Sequence, residues 1–176
     1  MTLPLYALVL ALVAAERIVE LVVSRRNAAW SFARGGREHG RGHFPAMIAL
    51  HGLFLPACLL EAWLRGRAAP PWWPVALAAA IAAQVLRWWC IRTLGPRWNT
   101  RVITVPGLAP VHAGPYRVLR HPNYVAVVVE GVALPAIHGA WITAAAFTLL
   151  NAMLLTVRIR VEEATLDDAA RSAPPP

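Results

Sequence analysis

The chain has 176 residues and a mass of 19.2 kDa, with 58% hydrophobic and only 15% charged residues. Soluble domains carry about a quarter charged residues, so this chain has too little polar material to cover a water-facing surface. The apolar content also excludes disorder. Seventeen basic residues against nine acidic ones give a net charge of +8. The basic residues, all arginine, fall in short stretches between apolar runs, which excludes a nucleic-acid binder and predicts an integral membrane protein of one domain. Cys58 and Cys90 lie inside apolar runs, so neither a disulfide framework nor a zinc site built on Cys pairs is predicted.

Five apolar runs can be measured against the ~20 residues that cross a bilayer. The first is Leu3 to Val23, where Glu16, Arg17 and Glu20 stand in place of a signal-peptide cleavage site. It is predicted to stay as a helix. The second is Pro45 to Leu64 and the third Trp72 to Leu94. The fourth begins near Pro122 and reaches Ile137, and the fifth follows from Ala140 to Val157. Only His138-Gly139 joins the last two, which predicts a tight antiparallel hairpin of helices four and five. The predicted fold is therefore all-α, with five transmembrane helices.

Arginines set the orientation. Ser24 to Phe44 carries Arg25, Arg26, Arg34, Arg37 and Arg41, and Gly95 to Arg120 carries Arg97, Arg101, Arg117 and Arg120. Arg158 and Arg160 close the last helix, whereas the alternate connections hold Arg65 and Arg67 in one case and no arginine in the other. The positive-inside rule places the N-terminus outside and the long loops and C-terminus in the cytoplasm. The tail Asp167 to Pro176 has no apolar period and is predicted to be disordered.

Ionisable groups inside a span cost roughly 2.5–3.5 kcal/mol on insertion scales, so each needs a reason. Glu130 lies nine residues past His121, about 13 Å along a helix, and shares a face with Asn123. It reads either as a buried carboxyl bonded to a neighbouring helix or as an acid or base in a substrate cavity. In the first helix Glu16 and Glu20 are one turn apart with Arg17 in reach, and Gln84 and Arg87 repeat the pattern in the third. Trp88 and Trp89 beside them suit an interfacial belt, as do Trp72 and Trp73. His39, His43 and His51 sit in or near a glycine-rich stretch that presets no coordination geometry, and no metal site is predicted there. A basic loop against anionic lipid headgroups fits better.

The densest chemistry is Val111 to Tyr124, VHAGPYRVLRHPNY. Gly114-Pro115 makes a turn, and Pro122 suits the first turn of helix four. Free amides at that start could hold a carboxylate. Tyr116 and Tyr124 offer aromatic faces to a flat ring or an onium cation. A second cluster, Arg158-Ile159-Arg160-Val161-Glu162-Glu163, closes helix five, and Arg158 and Glu162 point together. The hairpin brings both clusters to the same membrane face.

GPYRVLRHPNY, an apolar hairpin and then RIRVEEATL resemble the isoprenylcysteine carboxyl methyltransferase family of small membrane methyltransferases. The resemblance is strongest from the third helix to Leu166, and ERIVELVVSRRNAAW…GGREHG…HFPAMIALH resembles a bacterial branch associated with polyketide-type lipids. It implies one membrane domain over residues 1–166, with an S-adenosylmethionine region over 84–166. By position, Val111, Tyr116, His121, Pro122, Asn123, Tyr124 and Glu162 would line the cofactor pocket, with Thr104, Leu108, Ala109 and Pro110 along it. Arg158 would face the methyl acceptor. That acceptor would be a carboxylate, enol or phenol oxygen of a lipophilic small molecule, with Glu130 or His121 as base for a phenol. The implied location is the bacterial inner membrane, with the site facing the cytoplasm. Ala126 stands where the family often has Gly, and the acidic, proline-rich tail replaces an aromatic-rich extension. Two alternatives are an NADPH-dependent membrane reductase of the sterol-reductase type and a non-enzymatic lipid-binding scaffold.

Overall fold

A computed structural model describes the backbone from Met1 to Arg171 and the side chains through Thr165. It contains helices α1 (Leu3–Phe32), α2 (Phe44–Arg65), α3 (Trp73–Leu94), α4 (Pro122–Ala136) and α5 (Trp141–Arg171), with strands β1 (Arg37–His39) and β2 (Val102–Thr104). Proline stands at the first or second position of α1 to α4, where its missing N–H costs nothing and its fixed φ suits the helix. Three helical segments, Arg41–Arg65, Trp73–Arg97 and Trp141–Thr165, are long and apolar enough to cross a membrane. The chain is an integral membrane protein. The other two helices fall short on length and composition alone. Within its first twenty residues α1 carries Glu16, Arg17 and Glu20, and α4 has only 15 residues, about 22 Å against a hydrocarbon core of roughly 30 Å.

The molecule is apolar outside as well as inside. Leu12, Val75, Ile142 and Leu149 are each more than 60% exposed, as expected where lipid replaces water. Inside, Tyr6, Leu10, Phe54, Cys58, Val127, Leu134, Ile137 and Phe147 form the core. Ala62, Ala76, Ala80 and Ala83 let backbones approach closely. Helix α4 packs chiefly against α3 and α5. The α4–α5 connection is tight as predicted, with Ala140 N–H donating to the Pro135 carbonyl at 2.9 Å. Tyr6 on α1 donates to the Leu134 carbonyl at 3.0 Å. Glu61 on α2 caps α5, accepting from the amides of Ile142 (3.1 Å) and Thr143 (2.7 Å). A carboxylate at a helix N-terminus is favoured by the exposed amides and the helix dipole.

Three features differ from the sequence reading. Helix α1 continues nine residues past Val23, because a helix does not end where its apolar run ends and no Gly or Pro intervenes before Gly35. There Gly35 turns with φ +75°, and Gly36 N–H bonds back to the Ser31 carbonyl at 2.9 Å. A Cβ on Gly36 would lie 2.6 Å from that carbonyl oxygen. Second, the fold is not wholly α, since β1 and β2 pair antiparallel with Glu38 opposite Ile103. Third, α5 stays helical to Arg171, five residues into the stretch expected as a disordered tail, and residues 172–176 lie outside the described residues.

The charged residues that lie between α1, α3 and α4 converge in one network. Arg17 bonds Glu20 at 2.6 Å and Gln84 at 3.1 Å, and also pairs with Glu130. Arg87 pairs with the other oxygen of Glu130 and lies 3.5 Å from Glu20. Gln84 and Trp88 both donate to Glu16, so Trp88 belongs to this network rather than to an interfacial belt. Breaking one partner of a buried pair strands the other charge, at about 3–5 kcal/mol. Arg87→Met should therefore lower the thermal midpoint of the detergent-purified protein sharply, whereas Arg92→Met, outside the network, should leave it nearly unchanged. Fluorescence-detected melting followed by size exclusion measures both.

Candidate functional site

The end of the α4–α5 hairpin farthest from its turn brings the two predicted clusters together. Arg158 Nε donates to the Tyr124 hydroxyl at 2.8 Å, and that hydroxyl donates to Glu162. The Arg158 guanidinium lies 5.5 Å from the centre of the Tyr124 ring. His121 stacks on the same ring at 5.3 Å between centroids and faces Glu162 at 3.6 Å and Glu163 at 3.5 Å. Tyr124 is thus fixed by an arginine, a carboxylate and an imidazole at once. Its place on α4 follows from Pro122, which starts the helix two residues earlier.

Arg158 is buried and doubly anchored. Its Nη1 donates to the Thr100 carbonyl at 2.6 Å and reaches the Met47 sulfur at 3.0 Å. Among the described residues no hydrogen bond engages its Nη2, which leaves one donor of a fixed, charged fork. Met47 and Thr100 were not legible as site residues, because neither carries a chemical mark and both reach Arg158 only through tertiary packing.

The loop before α4 is clamped to α3. Gly114 has φ +51°, and a Cβ there would meet Thr93 Oγ1 at 2.5 Å and Trp89 Nε1 at 3.0 Å, so only glycine allows this approach. Tyr116 follows, half-buried beside the Cys90 thiol, and burial pushes its hydroxyl above the ordinary tyrosine value. Asn123 contributes a buried Oδ1 with no hydrogen-bond partner. The first α4 amides are largely engaged, since the His121 carbonyl accepts from Tyr124 (3.1 Å) and Val125 (3.3 Å).

The remaining predicted residues lie around this cluster rather than in it. Thr104, on β2, bonds His39 Nε2 at 2.9 Å. Leu108, Ala109 and Pro110 are exposed, with Arg97 donating to the Ala109 carbonyl at 2.7 Å, and Val111 is half-buried. Pro122 is fully buried. Glu130 sits in the Arg17–Arg87 network, away from Tyr124 and Glu162.

Residues 75–168 match the isoprenylcysteine carboxyl methyltransferase (ICMT) family. The chain belongs to this family. The matched stretch holds α3, the clamped loop, the Tyr124–Arg158–Glu162 cluster and the hairpin that unites them. Membership suggests a membrane methyltransferase. The chain is 34% identical over 164 residues to the uncharacterized Bacillus subtilis (strain 168) protein YpbQ, covering 93% of this chain and 98% of that one. It is 24% identical over 157 residues to an uncharacterized Haemophilus influenzae protein, covering 89% and 91% respectively. No solved structure matches the chain.

The His121 contacts make the site sensitive to pH. Its hydrogen bond to Glu162, with the charges of Glu162 and Glu163, raises the imidazole above its usual value of 6.5. A raised value means that the protonated imidazole favours the folded state. That contribution is fully present below pH 6.5 and is lost as pH rises through the raised value. Thermal midpoints of the wild type should therefore decline across that window beyond any decline in His121→Asn, and the two profiles should run parallel above it.

Proposed function

We propose that this protein transfers a methyl group from S-adenosylmethionine to an oxygen of a lipophilic small molecule. The observation that carries the proposal is the Tyr124–Arg158–Glu162 cluster, held inside the segment that matches the ICMT family. The residues present fit the cofactor. Asn123 Oδ1 is a buried acceptor without a donor, Glu162 is a carboxylate that accepts from the Tyr124 hydroxyl, and both suit the amino and hydroxyl groups of such a ligand. Tyr116, His121, Asn123, Tyr124 and Glu162 would hold it, with Val111 and Pro122 as apolar wall and the Thr104 and Leu108–Pro110 loop alongside. When bound, S-adenosylmethionine supplies an electrophilic methyl group on a positively charged sulfur.

The protein's own contribution is binding, alignment and exclusion of water. Arg158 Nη2 orients the acceptor oxygen, while Thr100 and Met47 fix the guanidinium from behind. The bond from Tyr124 to Glu162 holds the ring against Arg158. A carboxylate acceptor would need no base, whereas a phenol or enol must lose its proton. Glu130 is poorly placed for that task, because both of its oxygens face guanidinium groups. We assign it a structural role.

All five helices cross the inner membrane on this reading. The arginines of the long connections lie in the cytoplasm, with the C-terminus and the cofactor site, and the N-terminus lies outside. The network pairs the charges of α1 internally, and α4 reaches across with the help of its buried hairpin turn. The resemblance to the branch associated with polyketide-type lipids supports an acceptor with a polar ring and an apolar tail, arriving from the bilayer.

Calorimetric titration of the detergent-purified protein with S-adenosylhomocysteine tests the proposal, with NADPH as the parallel ligand. S-adenosylhomocysteine should bind and NADPH should not. Glu162→Ala should weaken that binding at least about tenfold, a difference of about 1.4 kcal/mol. Binding of NADPH alone would replace the methyltransferase reading with a reductase. Binding of neither by protein that melts cooperatively would leave a scaffold.

A further inference from the structure

A cavity of about 260 Å³ opens beside Val23, Arg26, Asn27 and Trp30 of α1 and Pro96 of the connection that follows α3. Its wall is fixed, because Asn27 Nδ2 donates to the carbonyls of Gly95 (3.1 Å) and Trp98 (2.7 Å), on either side of Pro96. The Arg34 guanidinium lies over the Trp30 ring, 4.1 Å from its centre. Among the described residues the Arg26 side chain makes no ion pair or hydrogen bond, and no carboxylate lines the cavity. Glu20 and Glu38, the acids nearest along the chain, are engaged by Arg17 and by Arg41 and Arg101. Arg26 is thus an uncompensated cation at the edge of a preformed space.

The same face of α1 is apolar farther back. Leu8, Leu12, Val19 and Val23 precede Arg26 and Trp30 at helical spacing, so all six share one stripe. Leu8, Leu12 and Val19 are exposed. The stretch from Leu12 to Val23 spans about 16 Å of helix, roughly half of a 30 Å hydrocarbon core and so one leaflet deep. A tryptophan beside arginines at the end of such a stripe fits the membrane–water boundary. Free phosphate would use the cation and leave the stripe without a partner. A second copy packed by two-fold symmetry in the same membrane would set its own Arg26 against this one. A lipid satisfies both halves of the face.

We propose that this face of α1 binds one anionic phospholipid, with its phosphodiester on the Arg26 guanidinium beside Trp30 and an acyl chain along Val23, Val19 and Leu12. The arginine fork suits phosphate oxygens. A headgroup ammonium finds no carboxylate here and meets two guanidiniums, so phosphatidylglycerol is favoured over phosphatidylcholine. The inference is independent of the methyltransferase reading, and neither depends on the other.

The detergent-purified chain would be titrated with phosphatidylglycerol, phosphatidylcholine and glycerol 3-phosphate while its thermal midpoint is followed, and native mass spectrometry would count retained lipid. Phosphatidylglycerol should raise the midpoint saturably, with one molecule held per chain, and the other two should not. Arg26→Gln should raise the half-saturating concentration roughly tenfold or more. Arg160→Gln, which removes the same charge from α5, should leave it unchanged. Phosphatidylglycerol brominated along its chains should also quench tryptophan emission, and less so in Trp30→Phe. Should Arg26→Gln not fold, quenching that is equal in the wild type and Trp30→Phe would still overturn the site. An equal response to phosphatidylcholine, or equal weakening in Arg160→Gln, would reduce the effect to general attraction and overturn it. Full binding of glycerol 3-phosphate would replace the lipid with a soluble phosphate, and a lipid-free dimer would replace it with a second copy.

Discussion

A charge inside a bilayer must find its counter-charge within the protein, and in this chain that constraint fixes how the helices stand against one another. Arg17 is the pivot, since it leaves α1 to meet Gln84 on α3 and Glu130 on α4 while holding Glu20 on its own helix. Arg87 closes the ring from α3. None of α1, α3 and α4 can rotate without exposing a guanidinium or a carboxylate to an apolar neighbour, so the network sets rotation as well as proximity. Glu130 in particular faces α1 and α3, and this decides which side of α4 faces α5. Gly131 then presses on Phe147 so closely that a Cβ would lie 2.7 Å from the ring. Two turns earlier, Tyr124 is aimed at Arg158. The polar knot and the candidate site are therefore two ends of one orientation.

The site depends equally on the layer above the spans. Arg158 is held by the Thr100 carbonyl, and Thr100 is held by Ser24 through its amide (3.0 Å) and its hydroxyl (2.8 Å). Ser24 belongs to the part of α1 that outruns its apolar stretch, as does Asn27, which binds the carbonyls of Gly95 and Trp98. The pairing of β1 with β2 fastens the arginine-rich connection to the same segment. A stretch that reads as a basic, glycine-rich loop thus positions the guanidinium from behind. Its charges still suit a surface near anionic headgroups, because Arg41 is largely exposed although it pairs with Glu38.

What the sequence made legible follows from the range of the forces involved. Ends of α2, α3 and α4 are marked locally by Pro45, Pro74, Pro122, Gly66 and Gly95, and the apolar runs match these helices and the start of α5 nearly to the residue. Tyr124, His121, Arg158 and Glu162 were legible as a group because a hairpin with a four-residue turn leaves no choice of where its far ends meet. The β1–β2 pair was not, since three-residue strands carry no period and join segments more than sixty residues apart. The fate of Glu130 was undecidable for the same reason. Its spacing from His121 put it deep in a span, but its partners stand on two other helices, and only their packing separates a paired carboxylate from a base. Met47 and Thr100 carry no local signal at all.

Glu130 on α4 and His51 on α2 illustrate how environment rather than residue type sets what a proton-active side chain can do. Glu130 is the stronger candidate by composition, as a carboxyl in a membrane span, yet each of its oxygens is occupied by a guanidinium that would have to move before a proton could be received. His51 looks like an ordinary histidine on an apolar helix. Its Nδ1 is committed to the Met47 carbonyl, which fixes the tautomer, and its ring borders a small cavity shared with Arg17, Arg87 and Glu130.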